Sequence, residues 1–380
     1  MRHTPTMPRL TATVAMALAG LVFLAGCTNS GHREAQHAPQ PELSEVEVVE
    51  DPRSHQGPST AVLPDAMIEP ITENPDQSLP TTVTSYTQTG VEEQIEITDT
   101  SRVVALDMAG SIAASIWALG FADTLVGVDQ STTFAGTEDL ETVTSGGHTV
   151  NAEAIIGLAP DVVITDGSVG PRDVIEQLTD VGITVVFLEN EPSFAGAQHL
   201  IRQVAEVYGA ADLGEELAAQ TGQEIEDKIA QIAELAPQNE DEKVRMLFLY
   251  LRGNAGVYYM FGSESGADDL ISALGGVDVA QELGWEGMKP MTDEALVAAD
   301  PDLILTMSGG IASVDGVEGL LAEKPAVAIT TAGEQQRIVD MADGQILSFG
   351  PRSADVLDAL ARAVYAPDSV STDHAAQGNK

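Results

Sequence analysis

Two stretches of this chain are near copies of each other: Glu153–Thr165 (EAIIGLAPDVVIT) and Glu294–Thr306 (EALVAADPDLILT). Each reads as a short helix that must stop before its proline, because proline pushes the preceding residue out of the helical region. Each then passes through Pro-Asp into an apolar run rich in β-branched residues, which suits a strand. One unit used twice implies two similar α/β lobes. A cleft between two lobes is where ligands commonly bind.

The rest of the chain fits that frame. Arg102–Leu106, Leu125–Val128, Asp161–Thr165 and Thr184–Leu188 read as strands, with helical stretches at Ser111–Leu119 and Asp173–Val181 between them. Strands alternating with helices predict a parallel sheet covered on both faces. From Pro192 to about Ala236 the strands disappear and apolar residues recur at helical spacing. One helix is expected over Phe194–Tyr208 and another from Leu213 through Ile225, Ile229 and Ile232 to Leu235. A helix of about 25 residues spans roughly 40 Å, enough to run along two lobes and join them. The expected fold is therefore two Rossmann-like α/β lobes, 93–208 and 238–366, joined by a single long helix at 209–237, with a tail at 367–380. A single helical crossing favours small lobe movements over wide hinge closure.

The first 27 residues read as an export signal, with Arg2 and Arg9 before an apolar stretch, Leu10 to Leu24, too short for a confident membrane span. It ends in Leu24-Ala25-Gly26-Cys27, which resembles the bacterial lipoprotein box, and Cys27 is the one cysteine of the chain. No intramolecular disulfide is possible, and Cys27 is expected to carry a lipid. Residues 28–92 carry prolines and an acidic run of Glu42, Glu45, Glu47, Glu50 and Asp51. Such composition predicts a disordered acidic tether.

The formal net charge of −42 argues against nucleic acid as a partner, since phosphates demand lysine and arginine. It also argues against electrostatic adhesion to anionic lipid, so a lipid chain would do the anchoring. Gly262-Ser263-Glu264-Ser265-Gly266 is not a phosphate loop, because no Gly-Lys-Ser/Thr follows it. Ser308-Gly309-Gly310 lacks the hydrolase elbow, and no His-Glu-x-x-His or cysteine ligand set exists. The expectation is a binder that performs no chemistry.

His148 follows two glycines and stands five residues before Glu153, in the loop entering the first repeat helix. By itself it reads equally as a solvated or capping histidine. Tyr250 and Arg252 stand two apart at the end of the second lobe's first strand, so they share a face. Residues at the C-terminal ends of parallel strands line the crevice of α/β sheets. A phenolate is a hard anionic ligand for ferric iron, and a neighbouring guanidinium favours it. The plainer alternative is an amphipathic tyrosine beside a surface arginine.

Several segments together resemble the hemin-binding lipoproteins of bacterial ABC importers. They are Gly147-His148-Thr149-Val150-Asn151-Ala152-Glu153, Thr165-Asp166-Gly167-Ser168-Val169-Gly170-Pro171, Tyr250-Leu251-Arg252-Gly253, Gly287-Met288-Lys289-Pro290-Met291-Thr292-Asp293-Glu294 and Phe349-Gly350-Pro351-Arg352. The similarity runs from about Arg102 to Tyr365. The wider class, helical-backbone binding proteins, also carries cobalamin and ferric siderophores, which stay as the alternative. The resemblance implies His148 and Tyr250 as axial ligands to the iron of a transported haem b, with Arg252 behind Tyr250. It leaves Met288 and Met307 as pocket walls or as ordinary methionines. Glu153 and Glu294, one per repeat, would dock a permease dimer that works with its ATPase; as helix-start acids they also suit the macrodipole. Surface proteins that donate haem are a further class of partner. The implied location is the outer face of the cytoplasmic membrane, anchored by lipid, in the Gram-positive manner.

Overall fold

The computed structural model describes residues 41–63, 67–86 and 91–369, which fall in one compact unit beginning at Gln40. The export signal, Cys27 and the last eleven residues of the expected tail lie outside the described residues.

The first lobe is built on five parallel strands in the spatial order Thr184–Phe187, Val162–Thr165, Val103–Leu106, Leu125–Val128, Glu141–Thr142. Their apolar runs are buried because both faces of the sheet are covered. Period-two alternation divides the side chains between two cores. Val103, Ala105, Val162, Ile164 and Val186 join one, and Val104, Leu106, Val163, Val185 and Phe187 the other.

The second lobe repeats the plan on the strands Ile338–Met341, Leu303–Met307 and Arg245–Arg252, again parallel. Met246 and Phe248 face one core, Leu247, Leu249 and Leu251 the other. This sheet is mixed, however: Arg245–Arg252 turns through Gly256 (φ 65°) into the antiparallel Val257–Phe261, which pairs in turn with Met288–Pro290. The central strand therefore runs two residues past Tyr250 instead of ending there.

The sequence repeat is also a structural repeat. Both repeat helices, Ala152–Leu158 and Asp293–Ala299, start under a side-chain cap, Asn151 or Thr292. Both stop on a non-glycine residue in the left-handed region, Ala159 (φ 47°) and Asp300 (φ 39°), immediately before proline. An arginine at the head of each central strand satisfies the last carbonyls: Arg102 Nε donates to Leu158 (3.0 Å) and Arg245 Nη2 to Ala299 (3.0 Å). The aspartate of each Pro-Asp pair accepts from the same arginine's backbone N–H, Asp161 at 2.9 Å and Asp302 at 3.0 Å.

The 25-residue helix Ala211–Leu235 serves both lobes. Its first half gives Leu217 and Ala218 to the first lobe's core, and its second half gives Ile225 and Ile232 to the second lobe's.

The described part of the expected tether is no tether. Leu43, Ala61 and Leu63 are buried in the second lobe's core, whereas Ile68 and Val83 are buried in the first lobe's. Ser59–Ala61 adds a parallel strand to the edge strand Ile338–Met341, and Thr81–Tyr86 forms a hairpin with Glu92–Ile97. Fully buried Arg337 ties this strap down, donating to Ser59 Oγ (2.8 Å) and to the carbonyls of Ala363 (2.7 Å) and Val364 (2.9 Å) at the end of the last helix. Arg53 adds an ion pair to Asp302 (2.8 Å). The acidic run stays at the surface while isolated apolar residues dock singly, so composition alone misleads. The strap joins the lobes a second time, beside the long helix.

Candidate functional site

His148 sits in a tight turn between the short strands Thr144–Ser145 and Thr149–Val150. Gly146, Gly147 and His148 all take positive φ (43°, 84° and 64°), which explains two glycines in a row and leaves the histidine in a region that few side chains tolerate. The turn is held from both ends. Gly170 N–H donates to the His148 carbonyl (3.2 Å), and the His148 ring Nδ1 lies 3.0 Å from Asp129 Oδ2. Asp129 is fully buried and also accepts from Thr144 Oγ1 (2.8 Å) and Ser131 N–H (2.7 Å).

Asp129 is one of three aspartates that each follow a first-lobe strand directly: Asp107 after Leu106, Asp129 after Val128, Asp166 after Thr165. They line the carboxyl edge of the sheet, where α/β folds place ligands. Asp107 caps the helix Ser111–Ala118, accepting from Ser111 N–H (2.7 Å) and Ile112 N–H (3.2 Å). Burial first, and the nearby Asp166 charge second, push its carboxyl up to about 8. The strand-then-aspartate pattern is written in the sequence three times and was the available signal for residues that periodicity overlooked.

In the second lobe Tyr250 and Arg252 do share a face. The Arg252 guanidinium lies over the Tyr250 ring, 4.6 Å from its centroid. Asp343 Oδ2 accepts from Arg252 Nη2 (2.5 Å), and Asp343 Oδ1 accepts from Gly309 N–H (2.7 Å). The tyrosine ring also stacks on Phe261 at 6.0 Å, which stacks on buried Phe248 at 5.0 Å. Met307 joins this group, its sulfur 3.9 Å from Arg252 Nη2. Met288 does not: it is the register partner of Phe261 but stands 62% exposed on the edge strand. Asp343 and Phe261 were not singled out from sequence.

The two groups meet where the lobes touch. Gly344, next to Asp343, packs so closely on the Ser131 carbonyl that an added Cβ would lie 2.6 Å from it. Ser111 Oγ and Ser348 Oγ are 3.3 Å apart across the same boundary, and Phe194 meets Phe349 edge-on at 5.3 Å. A connected path thus runs from His148 through Asp129 and Ser131 to Gly344, Asp343, Arg252 and Tyr250.

Glu153 and Glu294 are both exposed in the first turns of the repeat helices. Among the described residues there is no cluster of three or more His, Cys, Asp or Glu side chains fit to hold a bare metal ion. Among them, too, no helix is long and apolar enough to cross a membrane.

The model of the periplasmic binding protein family matches residues 103–343. The crystal structure of heme binding protein HmuT superposes with a TM-score of 0.77 at 38% identity, covering 83% of this chain and 99% of that one. Solved HmuT variants replace a histidine, a tyrosine and an arginine two positions beyond that tyrosine. A cobalamin-binding protein of Halobacterium salinarum is 28% identical over 267 residues, 70% of this chain and 69% of that protein. An uncharacterized ABC transporter substrate-binding lipoprotein of Bacillus subtilis, YvrC, is 28% identical over 258 residues, 67% of this chain and 76% of its own length.

Proposed function

The chain belongs to the periplasmic binding protein family, and on that premise we propose that it captures hemin and hands it to an ABC importer. Proteins of this family bind a substrate for transport and leave it chemically unchanged, and they work with a membrane permease and its ATPase. The reading rests chiefly on the Tyr250–Arg252–Asp343 group. A phenol oxygen is a hard donor suited to ferric iron, and the Arg252 guanidinium held over the ring fixes the side chain in place. The macrocycle supplies the equatorial ligands, so the protein need offer only axial ones: Tyr250 from the second lobe and His148 from the first. Met307 would pack on the flat ring, and Phe261 would back Tyr250 from behind, with exposed Met288 as an outer wall on the edge strand. The Tyr-x-Arg spacing is the one altered in the HmuT variants.

Hemin added to the chain from residue 41 onward is expected to give a sharp Soret band that saturates at one equivalent. A featureless titration would reject the haem reading. The relationship to the Halobacterium protein keeps cobalamin as the second reading, and cobalamin binding in the same titration would then replace it.

Glu153 and Glu294 stand at equivalent places in the two repeats, so they suit a partner that presents one basic surface twice, as a permease dimer does. Reversing both charges (Glu153→Arg with Glu294→Arg) should abolish hemin uptake by cells without changing hemin affinity; undiminished uptake would reject the docking role. Cys27 would tether the protein to the outer face of the membrane through a lipid chain. Fatty-acid labelling that a Cys27→Ser variant retains would exclude that anchor.

A further inference from the structure

We infer that Asp129 is a positioning residue that sets the tautomer of His148 and so selects which ring nitrogen can bind iron. The inference rests on the haem reading above and goes beyond it, to a residue that touches neither iron nor macrocycle.

An ionised carboxylate only accepts hydrogen bonds, so the ring nitrogen facing it must carry the proton. Here that nitrogen is Nδ1, at 3.0 Å from Oδ2 and 3.2 Å from Oδ1. The proton is therefore fixed on Nδ1, and Nε2 keeps the lone pair a metal needs. A neutral histidine side chain in water prefers the opposite arrangement, so the selection is the protein's own. Asp129 is itself immobile: it is fully buried, and Thr144 and Ser131 donate to its oxygens. The histidine is less so, with a side chain 20% exposed, which leaves part of the ring open to a ligand. The backbone cooperates, since the left-handed turn over residues 146–148 is what brings the ring onto this buried carboxylate.

A plain loop-anchoring ion pair would explain the contact but would not need to act through iron. An imidazole bound to a carboxylate is a stronger donor and favours the ferric state, and loss of such a support typically weakens metal binding about 10- to 100-fold.

Two measurements test the inference. The first uses the unaltered chain without hemin. Nitrogen-15 spectroscopy of His148 at a pH where the ring is neutral should show the Nδ1–H tautomer; the Nε2–H tautomer would overturn the proposal. This reading needs no variant to fold. The second is a cycle on the hemin-loaded protein, following hemin loss to an excess of apomyoglobin together with the midpoint potential. Asp129→Asn should speed hemin loss about 10- to 100-fold and move the potential positive, and it should do neither in a His148→Ala background. Equal effects in both backgrounds would make Asp129 merely structural and sink the proposal. No effect of Asp129→Asn, where His148→Ala does act, would sink it while sparing the haem reading. If His148→Ala leaves the spectrum unchanged, the axial assignment of His148 falls and the inference falls with it.

Discussion

Replacing Tyr250 by phenylalanine is expected to strip the protein of most of its grip on hemin while leaving the fold intact. The ring would still stack on Phe261 and still lie under Arg252. Only the phenol oxygen is lost, and Tyr250 is only partly buried against the second lobe's core, so thermal stability should barely change. The expected loss in retention exceeds the roughly 10- to 100-fold that removing a supporting residue costs, because an anionic ligand is removed outright. The measurements are the rate of hemin loss and the position of the Soret band. Arg252→Ala should act in the same direction but less, since it removes the group packed over the tyrosine ring and leaves the ligand atom. Retention and spectrum unchanged in Tyr250→Phe would exclude Tyr250 as a ligand.

A protein truncated to begin at Glu92 is expected not to fold stably. The segment so removed looks expendable by composition, yet it supplies Leu43, Leu63, Ile68 and Val83 to the two cores. Deleting large buried apolar side chains costs about 2–5 kcal/mol each. Four of them approach the whole stability of an ordinary domain, about 5–15 kcal/mol. Truncation also strands Arg337, whose partner Ser59 would be gone, at a buried position. Denaturant unfolding of forms beginning at residues 41 and 92 is the comparison. Midpoints that agree closely would mean the strap contributes little and that its burial is incidental.

The fold was legible where the sequence repeats or keeps a period. The Pro-Asp units announced two lobes, and apolar spacing from Leu213 to Leu235 announced the long helix, found at Ala211–Leu235. The strap was illegible because its few docking residues are spread thinly among prolines and acidic residues, so composition outweighs them. The antiparallel turn after Arg252 was missed for a related reason: Gly253-Asn254-Ala255-Gly256 is a short glycine-bounded loop that local spacing did not flag. At the candidate site, residue type and resemblance picked out His148, Tyr250 and Arg252, and the structure brings Tyr250, Arg252 and Met307 together. Of the carboxylates behind them, Asp129 was marked only by its place directly after a strand, and Asp343 by nothing local. Both act through contacts distant in sequence, Asp129 across 19 residues and Asp343 across 91.

The long helix has a thermodynamic implication for how the molecule comes apart. One rigid element donates Leu217 and Ala218 to one core and Ile225 and Ile232 to the other. Melting either core would fray a helix that the other still requires, so neither lobe has an independent unfolding free energy. The two lobes should exchange their most protected amide hydrogens through a single global opening, as a small two-state domain does, although each is large enough to be a domain of its own.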